Sequence, residues 1–175
     1  MTTAMPPAVR RAARTVRADL PGLATVPTVG RFAVALVVAV LGSLAACAVV
    51  AAAAVALVPS LAGYDHLHVG DWAKLTVIGV VLACFGWPFA AAIWSRARLP
   101  FLVLTIVVTV ASFVPDLWIL RQGQPALGVL ALAVMHVAVA VVTYPVLVLV
   151  APQRRRAVPA RAVREPGDTR PVKTT

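Results

Sequence analysis

The sequence predicts an all-α fold: a polytopic membrane protein, built as a four-transmembrane-helix bundle with disordered basic tails. Three observations carry this. Hydrophobic residues make up 61% of the 175-residue chain and charged ones only 13%, against roughly a quarter charged in soluble domains, and the mean hydropathy is +0.93. The apolar residues gather in four runs, each near the length of roughly 20 residues that a helix needs to cross about 30 Å of hydrocarbon. The basic residues flank those runs and share no folded face with aromatics, so the formal charge of +10 speaks for membrane topology and against nucleic acid as a partner.

The domain organisation follows. Residues 1–30 form a basic N-terminal arm, 31–150 the membrane domain and 151–175 a basic tail. The first span covers Phe32 to Val58; its arginine-rich lead resembles that of a signal peptide. A signal h-region runs only about 7 to 15 residues, so the longer run reads as a retained anchor. The second span covers 73–95, with Pro88 expected to kink it. The third covers 100–120 and is interrupted by Pro115 and Asp116 after Val114, with Trp118 and Leu120 finishing it in the interfacial zone. The fourth covers Ala126 to Val150 and carries Pro145. In the tail, four prolines and few apolar residues cannot offset ordering entropy.

Orientation is read from the cations. All Lys and Arg except Lys74 and Arg121 fall before the first span, between the second and third, or after the fourth. The positive-inside rule then places both termini in the cytoplasm, in a bacterial plasma membrane. The loops on the opposite side carry Asp65, Asp71 and Asp116. In the arm, Val9, Ala12, Ala13, Val16 and Leu20 lie at helical spacing opposite arginines, a pattern that can rest on anionic lipid headgroups.

Packing signals come next. Ala35, Ala39, Ser43, Cys47 and Ala51 recur every fourth residue in the first span, and Gly79, Ala83, Gly86 and Ala90 form a similar stripe in the second. Small residues let helix backbones approach where lipid removes the hydrophobic drive, so the two stripes are expected to face one another.

The candidate site centres on His136, an ionisable residue in the apolar run "ALAVMHVAVAVV". Counting eleven residues inward from the far end of each span brings His136, Cys47, Cys84 and Thr105 to one level near the midplane. Three readings follow. A neutral His136 can hydrogen-bond Thr105 or Thr109 as packing. It can be a protonatable site in a polar path with Thr105, Thr109 and Ser112. With Cys47 and Cys84 it can form a soft metal site. In the loop "GYDHLHVGDW", Asp65, His66, His68 and Asp71 are a further metal-donor set, or else a solvated loop anchored by Tyr64 and Trp72. Bis-histidine haem ligation lacks a second mid-depth histidine, and no cofactor is expected. No nucleophile elbow, phosphate loop or HExxH motif occurs, so an enzyme is not expected.

The order of "GYD" after the first span, "GW" and "SRAR" around the end of the second, "ASFVPDL" closing the third and Met135-His136 in the fourth resembles a family of small four-helix integral membrane proteins from high-GC Gram-positive bacteria, a domain of unknown function. The resemblance covers about residues 30 to 150 and implies fold and compartment. Pro88 after Trp87 and the long basic tail depart from its pattern. The function expected is therefore non-enzymatic: helix packing, homo-oligomerisation or service as an accessory subunit to a membrane partner. The alternative is a small permease or proton-coupled channel using His136 and the polar face of the third helix.

Overall fold

The computed structural model describes Gly22 and residues 25–154. Four long helices dominate: α1 (Val29–Leu57), α2 (Val69–Ile93), α3 (Arg98–Arg121) and α4 (Ala126–Val150). Each is long and apolar enough to cross a membrane, with hydropathies of 2.0 to 2.7 in their most apolar windows. Two short 3-10 segments, Pro59–Gly63 and Asp65–Leu67, form a cap between α1 and α2. No strand occurs among the described residues.

The second helix begins earlier than the hydropathy suggests, so Asp71 lies in its first turn and Trp72 beside it. The third runs through Pro115, as its expected span does, and ends at Arg121. Proline removes one backbone donor, and neighbouring groups re-satisfy the freed carbonyl; in hydrocarbon every other backbone bond is obligatory, which keeps the helix going. Continuation moves Asp116 from a loop into the helix. Gly123, at φ 87°, then supplies the left-handed residue that ends α3, and the amides of Gln122 and Gly123 return to carbonyls of its last turn.

The small-residue stripe of α1 is buried as its spacing predicts: Ala35, Ala39, Ser43 and Cys47 are fully enclosed, with Ala51 half-buried. It packs against α4 and α2 together. A Cβ on Gly42 would come within 3.0 Å of Val142 Cγ1, and Ser43 Oγ lies 3.2 Å from Thr143 Oγ1 across α1 and α4. Of the α2 stripe only Ala90 joins the buried cluster that holds Ala35 and Ala39; the rest does not meet it. Thr76, Val80, Cys84 and Trp87 are the buried face of α2, while Gly79 is exposed and Ala83 and Gly86 are half-buried. The α1 backbone makes room for larger α2 side chains, which leaves the α2 glycines turned toward α3.

At the end where the described chain begins and ends, short segments of the expected arms belong to the fold. Trp87 Nε1 donates to Ala151 O (2.7 Å). Gln153 Nε2 donates to Ala91 O (3.0 Å) and Trp94 O (2.6 Å), and its Oε1 accepts from Ala97 N (3.1 Å). Thr25 Oγ1 donates to Ala91 O (2.7 Å), and Arg154 N donates to Thr25 O (2.9 Å). The amphipathic stretch at residues 8–20 and the tail beyond Arg154 lie outside the described residues.

Candidate functional site

Only Phe101 and Asp116 of α3 are buried. The helix is thus pinned near its two ends, and between those pins a groove of about 660 Å³ opens among α2, α3 and α4. Gly79, Ala83 and Gly86 line it from α2, which gives the displaced small-residue stripe its place: without side chains there, the space stays open. At one end the floor is aromatic, with Trp87 against Phe101 (5.1 Å between ring centroids) and Phe101 stacked on Tyr144 (5.8 Å). At the other end it runs under the cap, past Trp72 and His66.

Asp116 and His136 meet on the walls of this groove. Asp116 Oδ2 lies 3.3 Å from His136 Nε2, and Asp116 is only 6% exposed. Asp116 sits five residues before the end of α3 and His136 ten after the start of α4, a difference of about 8 Å in rise. The helices are antiparallel and each Cα–Cβ bond tilts toward its own N-terminus, so the two side chains lean toward one another. The ring of Phe113 flanks His136 at 6.2 Å. The pair faces without a well-aligned hydrogen bond, and Asp116 Oδ2, Trp72 Nε1 and Tyr64 Oη are all buried without a hydrogen-bond partner. All three lie toward the capped end.

Tyr64 comes from the cap and rests on α4 at Gly128, where a Cβ would fall 2.6 Å from its ring. Burial pushes its phenol above the usual range, and the nearby Asp116 carboxylate adds to the shift. Tyr64 and Trp72 are both buried in one cluster with Leu61, Leu67, Met135 and Cys47, which ties the cap to the helices.

The other site residues fall as follows. Thr105, Thr109 and Ser112 line the groove, but each hydroxyl donates to its own helix, at Phe101 O, Thr105 O and Thr109 O. Helical back-bonding is the nearest acceptor available to a hydroxyl in an apolar wall, so His136 finds its partner in Asp116 and not in a threonine. Cys47 and Cys84 are both free and buried. Cys47 Sγ sits 3.6 Å from Thr76 Oγ1, and Thr76 stands eight residues from Cys84 on α2, about 12 Å of helix rise. The single level for Cys47, Cys84, Thr105 and His136 is thus not formed, because equal residue counts from unequal helix ends do not give equal depth. In the cap, Asp65 lies 4.0 Å from His68 and His66 stands edge-on to Tyr64 at 5.3 Å, while in the first turns of α2 Asp71 lies 3.4 Å from Lys74. Among the described residues no three His, Cys, Asp or Glu side chains gather so as to hold a metal ion.

Asp116 is the residue that sequence reasoning placed in the wrong setting. Its signal was present in "ASFVPDL": apolar residues continue beyond Pro115, so the acid stands inside the run. Compared with protein-family profiles, with curated proteins and with solved structures, the chain matches none.

Proposed function

We propose that this chain is a non-enzymatic integral membrane protein that binds a hydrophobic small molecule in the groove between α2, α3 and α4, with the Asp116–His136 pair making that binding responsive to protonation. The observation that carries the reading is the pair itself, an acid nine-tenths buried and an imidazole 3.3 Å away, on the wall of a mostly apolar groove. Ionisable residues in a membrane-spanning segment are rare and mark ligand or proton sites, and the volume lies within the roughly 300–1,000 Å³ of small-molecule sites. The reading keeps the permease alternative's residues but replaces its threonine path with a carboxylate–imidazole pair. The resemblance to small four-helix membrane proteins of high-GC Gram-positive bacteria, and the placement of cations that puts both termini in the cytoplasm, support a bacterial plasma membrane.

Binding of Nile red, an uncharged fluorescent probe, to the purified full chain in nanodiscs tests the groove. Gly79 has no neighbour within 4 Å of a built Cβ, so Gly79→Phe fills the space without disturbing the α1 contacts. Saturable binding that falls at least tenfold in Gly79→Phe supports the reading. Equal binding to both proteins rejects it.

A second reading, an accessory subunit, is favoured by α3 alone. Val103, Val107, Val110, Val114 and Leu117 are exposed along it, a face on which a partner's helix can lie. Cross-linking from Val107→Cys in native membranes, with a discrete adduct as the positive result, decides that reading.

A further inference from the structure

We propose that the groove takes a lipophilic cation, which seats its charge against Asp116 and releases one proton from the Asp116–His136 pair. The proposal rests on the groove being a binding site and adds the class of its occupant.

Charge selects the class. The lining includes Asp71 and Asp116 as acids and His66 and His136 as titratable bases, with no Lys or Arg. An anionic amphiphile would place its charge beside a buried carboxylate with nothing fixed to offset it. A neutral one would leave the carboxylate desolvated with only the imidazole as partner. An organic cation meets Asp116 Oδ2, which is buried without an aligned donor. Asp71 is already engaged by Lys74 at 3.4 Å and is exposed, so Asp116 is the acid free to act. Trp72 supplies an aromatic face at the same end of the groove, which attracts a cation through its quadrupole, while Phe101 and Tyr144 line the far end for an apolar body. The buried Trp72 Nε1, also without an acceptor, adds a preference for a cation that carries an acceptor oxygen.

The proton balance is explicit. Before the cation binds, the Asp116–His136 pair holds one proton and is neutral as a unit. When the cation arrives the pair gives that proton to solvent, and the charge of the site is unchanged. One positive charge enters and one leaves. The proton belongs to the pair and not to either member alone. The other titratable groups facing the pair or sharing its walls are Tyr64 and His66 of the cap, Cys47 of α1, Asp71 of α2 and Tyr144 of α4. The carboxylate is required for the exchange and the imidazole shares its proton, which is why a lone buried histidine does not suffice.

The test titrates the full chain in zwitterionic-lipid nanodiscs with tetraphenylphosphonium, following displacement of Nile red and calorimetric heat. Affinity is expected to rise about tenfold per pH unit while the pair holds its proton and then to level off, the slope of a single linked proton. One proton per bound cation should appear in lightly buffered solution. Asp116→Asn should lower tetraphenylphosphonium affinity at least tenfold and leave Nile red binding intact, Asp116→Glu should restore it, and His136→Gln, which leaves Asp116 to hold the proton alone, should still release one proton on binding but over a different pH range. Wild-type binding that is independent of pH, or unchanged in Asp116→Asn, overturns the proposal. If Asp116→Asn does not fold, proton release by the wild type decides. Nile red bound but not displaced by the cation sinks the cation and spares the groove; no Nile red binding sinks the groove reading itself.

Discussion

Asp116 and His136 stabilise the fold only as a pair. The carboxylate is nearly enclosed, so removing its counter-group in His136→Leu leaves a buried charge that must be neutralised by protonation, and the loss is expected at about 1–3 kcal/mol. Replacing both, as Asp116→Leu with His136→Leu, removes the problem together with the pair. The double variant is therefore expected to be more stable than His136→Leu alone, a sign of coupling that thermal unfolding of the four proteins in one detergent measures directly. A loss in the double variant equal to the sum of the two single losses would show that the two residues act independently. Tyr64 gives a second residue-scale prediction. Burial and Asp116 raise its phenol, whereas in the unfolded chain it titrates at about 10. The folded state thus favours the neutral phenol: its contribution is fully present below pH about 10 and is lost as pH rises through the higher folded value. Phenolate absorbance should show a late-titrating tyrosine that vanishes in Tyr64→Phe.

At the scale of elements, the helices were legible because length, hydropathy and turn residues all speak for the same spans, and hydrocarbon leaves a helix few alternatives. The α1 stripe was legible for the same reason: a period of four in small residues has one use between closely packed helices. What failed were relations between helices. The α2 stripe looked like a partner for α1, yet Gly79 and Ala83 face the groove, since small residues mark close approach and open space equally well. The depth count failed because the helices differ in length and start, and the pairing of Asp116 with His136 was missed because it depends on how α3 and α4 lie against one another, which hydropathy along one span does not carry. Two close approaches hold the elements in place. Ser43 and Thr143, 3.2 Å apart, are expected to couple by about 0.6 kcal/mol, as interhelical hydrogen bonds in membranes do on average, in a double-mutant cycle of Ser43→Ala and Thr143→Val. At Gly128 any larger side chain collides with the Tyr64 ring. Gly128→Leu should displace Tyr64, lower stability by about 1–3 kcal/mol and expose Tyr64 to solvent, read as a return of its phenol to the ordinary titration range.

For the whole molecule, α3 is the least enclosed helix, with 6% of its apolar window buried against 22–28% in the others, so the structure needs some other means of keeping four helices in one bundle. The latch at the terminal end provides it. Trp87 reaches from α2 to Ala151 O, Gln153 reaches from beyond α4 to Ala91, Trp94 and Ala97, and Thr25 joins it on Ala91 O from before α1. These bonds gather the α2–α3 turn, the start of α1 and the end of α4 into one knot, and they depend on side chains that hydropathy does not weigh. Each is worth about 1 kcal/mol net. Truncation after Val150 removes Ala151 and Gln153 together and is expected to lower stability by about 2–4 kcal/mol, with the loss concentrated at the α2–α3 turn in hydrogen exchange. Truncation after Arg154 keeps every one of these bonds and should unfold at the wild-type temperature. Gln153→Glu separates shape from chemistry: it fills the same space but gives up the two donors to Ala91 and Trp94, so it should fall close to the shorter truncation. If it matches the wild type instead, the knot is held by packing around Trp87 and Ala151, and the glutamine is incidental.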